Sequence, residues 1–136
     1  MTNNKPDLTV NIAGLKLQNP VMPASGAFGE GMDQVIDFNL LGAVVPKSIT
    51  KRPRGGNATP RVCETHGGMI NSIGIQSKGI DHYLKETLPY YRRYRVPLIS
   101  SISAESIDEF VEMSETISAV SNVAALELNI SCPNLK

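Results

Sequence analysis

The sequence lacks an excess of charge of either sign. Thirteen basic and thirteen acidic residues cancel over 136 positions, and the sequence pI is about 6.7. Electrostatics therefore give no reason to expect nucleic acid or an anionic membrane as the main partner. A small molecule is the better expectation.

A long apolar run is also missing. No stretch approaches the roughly 18 apolar residues that a membrane-spanning helix needs. The first ten residues, MTNNKPDLTV, have no apolar centre of the kind found in signal peptides. We therefore expect no membrane association and a cytoplasmic location.

Cysteine and histidine are scarce. Cys63 and Cys132 are too few for a disulfide framework and have no metal-ligand spacing, so free thiols are expected. His66 and His82 lie outside any Cys-x-x-Cys or His-x-x-x-His pattern. We expect ordinary surface or capping histidines and no metal site.

The composition is that of one ordinary soluble domain, with 41% hydrophobic and 19% charged residues. Alternating apolar and polar residues around Gly14, over positions 8–17, predict a hairpin. The next patterns predict a short strand over 21–26 that enters a loop, a short helix over 33–41 and a strand over 43–49.

Residues 50–78 form an unusually long connection, with two Gly-Gly pairs and two prolines. Long loops inside compact domains are usually functional or disordered. Its basic residues are expected to face solvent and to have no catalytic role; they are Lys51, Arg52 and Arg54.

Helix and strand alternate after this connection. Apolar spacing predicts a helix over 79–94 and strands over 96–102 and 124–131. Between the two strands, Ser106 and Glu109 fit a capping box at the start of a helix. The apolar face of that helix is predicted to hold Ile107, Phe110, Val111, Ile117 and Val120.

These elements predict an α/β fold. No tight hairpin is expected after Gly14, so the strands should pair in parallel through right-handed crossovers. Four such strands make half of a (β/α)8 TIM barrel, preceded by the N-terminal β-hairpin. A flavodoxin-like open sheet is the competitor, but it normally places a Gly-rich phosphate loop after its first strand, and ASGAFG at 24–29 matches that loop weakly.

Polar residues follow the predicted strands. In the last strand Glu127, Asn129 and Ser131 share one face, which needs internal partners or a ligand unless it is exposed to water. Lys47 emerges at the carboxyl end of an apolar stretch, where it either binds an anionic ligand or is solvated. Cys132 is either a nucleophile or general base, or a small buried side chain.

Several motifs occur together in one order: NPVMPASG at 19–26, KSIT at 47–50, PRGGN at 53–57, PR at 60–61, ET at 64–65, GMINSIG at 68–74 and NISCPN at 129–134. Together they resemble class 1 dihydroorotate dehydrogenase over nearly the whole chain. That family folds as an FMN-containing (β/α)8 barrel of roughly twice this length. The resemblance implies that residues 1–136 are the N-terminal half of a single FMN-binding barrel domain.

The activity implied by the resemblance is the oxidation of dihydroorotate to orotate in de novo pyrimidine (UMP) biosynthesis. A base removes a proton from C5 while hydride passes from C6 to N5 of the flavin, and stacking on the flavin supplies proximity. Cys132 resembles the general base, and a cysteine here marks class 1 rather than the membrane-associated class. Lys47 resembles the lysine that meets both the flavin and the substrate carboxylate.

The remaining implied site residues bind substrate or cofactor. The orotate-binding set is Lys47, Asn71, Ser72, Ile73, Gly74, Ile75, Asn129 and Asn134. The FMN-contacting set is Ala24, Ser25, Lys47, Ser48, Ser101 and Asn129. Ser101 stands where related chains often have asparagine.

The motifs MPASGAFG and LELNI are similar to those of subclass 1B. Proteins of that subclass pair with an iron-sulfur flavoprotein subunit, which carries FAD and a 2Fe-2S cluster, and pass electrons to NAD. Subclass 1A, a homodimer that uses fumarate, stays open, and a homodimer is expected in either case. Two other hypotheses also stay open: a non-catalytic half-barrel that pairs with another chain, and a related FMN barrel acting on another pyrimidine.

Overall fold

The centre of the fold is a set of three neighbouring parallel segments. In the computed structural model, which describes residues 6–131, β5 (Ile99–Ile102) pairs in parallel with β6 (Ala125–Leu128). On the other side of β5, residues 44–49 run parallel to it, with isolated bridges from Val44 to Leu98 and from Ile49 to Ile102. Successive parallel segments are therefore neighbours, as in part of a TIM barrel.

The predicted strand over 43–49 is not continuous. Backbone hydrogen bonds join Val44 and Ile49 to the chain beside them, with Val44 donating to Pro97 and Ile49 donating to Ser101. Between them lies Pro46, which has no N–H to donate to a ladder. The predicted strand over 21–26 is wrong, because no strand is formed there and the segment ends in a turn from Ala24 to Ala27.

Two antiparallel hairpins accompany the parallel set. β1 (Val10–Ile12) pairs with β2 (Leu15–Leu17) at the position where the alternation around Gly14 predicts a hairpin. β3 (Val62–Thr65) pairs with β4 (Gly68–Asn71) inside the long connection. The expectation of no tight hairpin after Gly14 is therefore wrong. The periodic pattern is weak here because every residue of both strands is exposed and neither face has to be apolar.

The helix predicted over 79–94 is shorter and less regular. It comprises α1 (Ile80–His82), a π-helical turn (Tyr83–Thr87) and α2 (Leu88–Tyr91). Pro89 has no N–H for an intrahelical bond, which accounts for irregular geometry near it. The helix predicted over 33–41 is instead two 3₁₀ turns, Met32–Gln34 and Phe38–Leu40.

The last helix, α3 (Ile107–Ser118), begins at the predicted cap. Ser106 Oγ accepts a hydrogen bond from Glu109 N at 3.2 Å, while the Glu109 carboxylate accepts from Glu105 N rather than from Ser106 N. The predicted apolar face is wrong at Ile107 and Val111, which are exposed.

Met113 and Ile117 are the buried residues of α3. Phe110 and Val120 are partly buried and pack against the core. Val111 precedes Ile117 by six positions, so it lies about 120° around the helix from the face that meets the sheet.

An aromatic cluster joins the segment before the first parallel strand to the helix of residues 80–91. Phe38 is fully buried and stacks on Phe28 and Tyr91, at ring-centroid distances of 6.1 and 5.9 Å. Asp33 accepts hydrogen bonds from the hydroxyls of Tyr90 and Tyr94, and these bonds hold the pKa of Asp33 below its ordinary value. The cluster therefore holds residues 28–38 in place beside the helix.

In the described part of the chain, residues 6–131, no helix is both long and apolar enough to cross a membrane.

Candidate functional site

Three polar residues meet where the parallel segments end, and we call them the strand-end row: Ser48, Ser101 and Asn129. The hydroxyl oxygens of Ser48 and Ser101 lie 2.8 Å apart, and both residues are at most 2% exposed. Asn129 Nδ2 lies 3.4 Å from Ser48 Oγ, and its backbone N–H donates to the carbonyl of Ile102. Parallel pairing therefore brings together side chains that are 81 positions apart in the chain.

Two further serines are buried: Ser100 in β5 and Ser103 directly after it. Ser100 Oγ lies 2.6 Å from the hydroxyl of Tyr83, and burial raises the pKa of that tyrosine to about 12. Ser103 is fully buried, and its Oγ has no hydrogen-bond partner among residues 6–131. A buried hydroxyl without a partner is costly, so this position suits a ligand that can hydrogen-bond.

Lys47 lies beside the turn of residues 24–27. Gly26 has a φ of +85°, and a Cβ added there would lie 3.0 Å from Lys47 Cδ and 3.6 Å from Lys47 Nζ. The lysine side chain therefore passes over the Gly26 backbone, and glycine leaves room for it. Ala24, which is exposed, and Ser25, which is half-buried, directly precede Gly26 in this turn.

A cavity of about 820 Å³ lies between the parallel segments, the long connection and the helix of residues 80–91. Its lining includes three of the predicted site residues, Lys47, Ser48 and Ile73. The size is in the range of small-molecule sites. Of the other predicted residues that the structure describes, none belongs to this lining: Ala24, Ser25, Asn71, Ser72, Gly74, Ile75, Ser101 and Asn129.

Sequence reasoning missed several cavity residues. Arg54 and Lys78 line it beside Lys47, against one lining carboxylate, Glu30. Arg54 also forms an ion pair with Glu105 at 2.8 Å, so the expectation that it merely faces solvent is wrong. This excess of positive side chains favours an anionic ligand.

His82 also lines the cavity, and its Nε2 is buried without a hydrogen-bond partner within residues 6–131. The only available sequence signal is that His82 falls in the helix that follows the long connection.

The segment of residues 71–75 has an unusual backbone. Gly74 and Ile75 both have positive φ angles, +76° and +50°. A left-handed conformation is strained for a β-branched residue such as isoleucine, and strain of this kind often accompanies function. Ile75 is 5% exposed, so its side chain is held in the protein interior.

A second stretch of the long connection holds this segment, and we call the arrangement the loop clamp: residues 55–57 and Arg61 against residues 72–74. Asn57 Nδ2 donates to the carbonyl and the hydroxyl of Ser72, at 3.0 and 2.7 Å. Asn57 N donates to the carbonyl of Ile73, and Ser72 N donates to the carbonyl of Arg61. The guanidinium of Arg61 donates to the carbonyls of Gly55 and Asn57.

Two predicted residues, Cys132 and Asn134, lie outside the described residues. Asn71 is the last residue of β4 and is exposed, opposite Val62. Cys63 in β3 is an exposed free thiol. The structure thus assembles Lys47 with the turn of residues 24–27, and Ser48 with Ser101 and Asn129, while Asn71 projects from the neighbouring hairpin.

Comparison with known proteins gives matches over nearly the whole chain. The family model described as dihydroorotate dehydrogenase matches residues 7–136. The chain is 52% identical over 131 residues to the protein of Bacillus caldolyticus named dihydroorotate dehydrogenase B (NAD(+)), catalytic subunit, covering 95% of this chain and 42% of that relative.

Two further relatives of the same name are also similar. The Geotalea uraniireducens protein is 46% identical over 134 residues, covering 97% of this chain and 44% of its own length. The Malacoplasma penetrans protein is 46% identical over 138 residues, covering 100% and 45%. The chain therefore spans less than half the length of the curated relatives it matches. With nearly all of its residues inside the family match, the chain belongs to the dihydroorotate dehydrogenase family.

Proposed function

We propose that the complete protein oxidises dihydroorotate to orotate, with FMN as the hydride acceptor, in de novo pyrimidine biosynthesis. The observation that carries this proposal is that Lys47, Ser48 and Ile73 line one cavity, where Ser48 also meets Ser101 and Asn129 at the ends of the parallel segments. In parallel α/β folds that end of the sheet is where ligands bind.

The charge of the cavity supports a carboxylate substrate. Lys47, Arg54 and Lys78 outnumber Glu30 among its charged lining residues. Dihydroorotate carries one carboxylate, and a Lys47 ammonium beside it would both attract and orient it. The amide of Asn71 and the backbone groups of residues 72–75 would bind the pyrimidine ring, with Asn129 and Asn134 completing the polar surroundings.

The residues present suit a flavin. The unpartnered, buried hydroxyl of Ser103 and the adjacent strand-end row offer hydrogen bonds in a small space. Ala24, Ser25 and Lys47 would contact the cofactor together with Ser48, Ser101 and Asn129. When bound, FMN supplies the acceptor for the C6 hydride of the substrate.

Within this proposal, Cys132 is the general base. Its thiolate would take the proton from C5 of dihydroorotate, and a nearby cation favours the thiolate form of a cysteine. Cys132 follows Asn129 by three positions, so the proposed base comes shortly after a residue of the strand-end row. Lys47 and the segment of residues 71–75 hold the substrate in a fixed orientation toward it.

We further propose the NAD-linked type, in which this chain belongs to a catalytic subunit of the kind named in its relatives. Such a subunit would work in the cytoplasm as a homodimer and pass electrons to an iron-sulfur flavoprotein partner that carries FAD and a 2Fe-2S cluster. Residues 1–136 would then be the N-terminal half of one FMN-binding barrel domain. Leu128, the last residue of β6, is 52% exposed and Ile130 is 82% exposed, which supports further barrel elements covering that side.

The test is an anaerobic visible spectrum of the complete protein before and after addition of dihydroorotate. We expect a flavin band that dihydroorotate bleaches. No flavin band, or a band that bleaches only with a different pyrimidine, would contradict the proposal and favour a non-catalytic half-barrel or a related FMN barrel.

Two substitutions then test the assigned roles in the complete protein. Cys132→Ser should slow flavin reduction at neutral pH by at least about 100-fold, because a serine hydroxyl is a much weaker acid and seldom ionises at that pH. Lys47→Ala should weaken both flavin retention and orotate binding. Lys85→Ala removes an exposed lysine from the helix and serves as the matched control, with no expected change.

A further inference from the structure

We infer that Asn57 is a positioning residue for substrate binding: it sets the backbone of residues 72–74 and thereby the orientation of the orotate-binding segment. This inference rests on the proposed function. Asn57 ends the motif PRGGN at 53–57, but the motif gives it no role, and it lies 15 positions from its partner Ser72.

The contacts of Asn57 come from three different groups. The side-chain N–H groups donate to the carbonyl and the hydroxyl of Ser72, and the backbone N–H donates to the carbonyl of Ile73. The carbonyl of Asn57 accepts from the guanidinium of Arg61 at 3.2 Å. One residue therefore holds two consecutive peptide groups of the segment and is itself held from the other side.

Close backbone approach makes this arrangement specific. A Cβ added at Gly74 would lie 2.6 Å from Asn57 Oδ1 and 2.8 Å from Asn57 N. A Cβ added at Gly56 would overlap the carbonyl oxygen of Ile73. The two segments of the loop clamp, residues 55–57 and 72–74, thus approach each other closely at a glycine in each. This close approach leaves the Asn57 amide in contact with residues 72–74.

Holding residues 72–74 in place affects the neighbouring groups that we propose to bind orotate. Asn71 immediately precedes the clamped peptides, and Gly74 and Ile75, with their left-handed backbones, immediately follow them. Ile73 also lines the cavity beside Gly55. Fixing residues 72–74 therefore fixes the direction in which the Asn71 amide and the peptide groups of residues 73–75 are presented.

The clamp lies on the surface, which makes the test clean. Asn57 and Ser72 are both exposed, and surface substitutions away from the core rarely change global stability much. A variant of Asn57 should therefore fold, and its defects should appear in substrate binding rather than in stability.

The decisive variant is Asn57→Asp in the complete protein. Aspartate keeps the shape of asparagine but replaces the donor with an acceptor that faces the Ser72 carbonyl. We expect the KM for dihydroorotate and the Kd for orotate to rise about tenfold, with kcat changed less than about threefold and melting temperature and flavin content unchanged. Asn57→Gln, which keeps both donors, should recover part of the affinity.

A second readout does not depend on activity. Hydrogen–deuterium exchange of the peptide that covers residues 68–76 should become faster in Asn57→Asp, because the segment loses its anchors. Asn11→Ala is the matched control: Asn11 is also an exposed asparagine, and it accepts a hydrogen bond from Gly14 N inside its own turn. This variant should leave orotate affinity and the exchange of residues 68–76 unchanged.

The outcomes separate the inference from the proposed function. If the unmodified protein neither bleaches with dihydroorotate nor binds orotate, the proposed function fails. If it does both, and Asn57→Asp binds orotate within twofold of it, the positioning role is wrong whatever the exchange shows. Unchanged exchange over residues 68–76 would also overturn it.

Discussion

The strand-end row and the loop clamp are two regions of the candidate site that are built in opposite ways. The row consists of side chains on parallel segments, and Ser48 and Ser101 are almost completely buried. The clamp consists of loop segments in which Asn57 and Ser72 are exposed, and hydrogen bonds from Asn57 and Arg61 to backbone carbonyls hold it. The row depends on burial, whereas the clamp depends on backbone conformation.

Because of this difference, substitutions in the two regions should affect the stability of the protein and its substrate binding separately. A buried hydroxyl that loses its partner costs the folded state directly, because it cannot turn to water. An exposed group can bond to water instead, so its loss costs little globally but frees the segment it held. Substitutions in the row should therefore lower the free energy of unfolding, and substitutions in the clamp should mainly lower substrate affinity.

The largest effect is expected for Gly74→Ala, because Gly74 is buried, whereas Asn57 and Ser72 of the clamp are exposed. The new Cβ meets Asn57 at a φ of +76°, so both strain and displacement follow. We expect about 2 kcal/mol lower free energy of unfolding and at least about tenfold weaker orotate binding.

Gly67→Ala is the matched control for this substitution. Gly67 has nearly the same φ, +75°, but nothing lies within 4 Å of an added Cβ. Denaturant titration should show only the backbone strain, about 1 kcal/mol, with unchanged orotate affinity. Equal effects on affinity in the two variants would mean that contact with Asn57 is irrelevant.

The next effect is expected in the strand-end row. Ser101→Ala should lower the free energy of unfolding by about 1–2 kcal/mol, because Ser48 Oγ then loses its closest partner at a buried position. The double variant Ser48→Ala with Ser101→Ala should cost less than the sum of the single variants. Additive losses in a double-mutant cycle would show that the two hydroxyls do not interact.

Tyr83→Phe should have an effect that depends on pH. It leaves the buried Ser100 hydroxyl without its tyrosine partner, and we expect a loss of about 1 kcal/mol near neutral pH. The folded pKa of Tyr83 is raised to about 12, above the ordinary value of 10, so its contribution is complete below pH 10 and is lost as the pH rises toward 12.

The variant should therefore lose less stability than the unmodified protein between pH 10 and 12, as measured by denaturant titration at each pH. The variant keeps a slope from Tyr91 and Tyr94, whose pKa values are also raised, so we expect it to show a smaller slope than the unmodified protein rather than a flat profile. Parallel profiles for the two proteins would contradict the assignment.

The smallest effect is expected for Gly26→Ala, because the added Cβ would contact the flexible side chain of Lys47 instead of backbone. The added Cβ would lie 3.0 Å from Lys47 Cδ, and the lysine can move aside. We expect only a few-fold loss of orotate affinity beyond that of Gly14→Ala, which has a φ of +93° and no contact within 4 Å. A loss as large as that of Gly74→Ala would mean that Lys47 has no alternative position.

Sequence patterns predicted the parts of this fold that have a repeating period. The strand at 99–102, the helix after Ser106 and the hairpin around Gly14 all show clear apolar spacing. The exposed hairpin of β3 and β4 has no buried face, so the pattern that would reveal it is absent. Ile107 and Val111 were misassigned for a related reason, since the sequence does not state which side of a helix meets the sheet.

The motifs and the resemblance that they carry predicted Lys47, Ser48, Ser101 and Asn129 as site residues. The fold brings Ser48, Ser101 and Asn129 together, and their roles toward a ligand stay predictions. The motifs gave no role to Arg54, His82 or Asn57. The positions of these three residues depend on how the long connection folds back on the helix.

The sequence by itself determined the family, the alternation of helix and strand after residue 79 and the identity of the polar residues that follow the strands. These are local properties, set by residue type and spacing along the chain. Only the tertiary structure decided that Ser48 meets Ser101, that Lys47 crosses Gly26 and that Asn57 holds Ser72. Such contacts join residues far apart in the chain, and their geometry follows from the packing of whole elements.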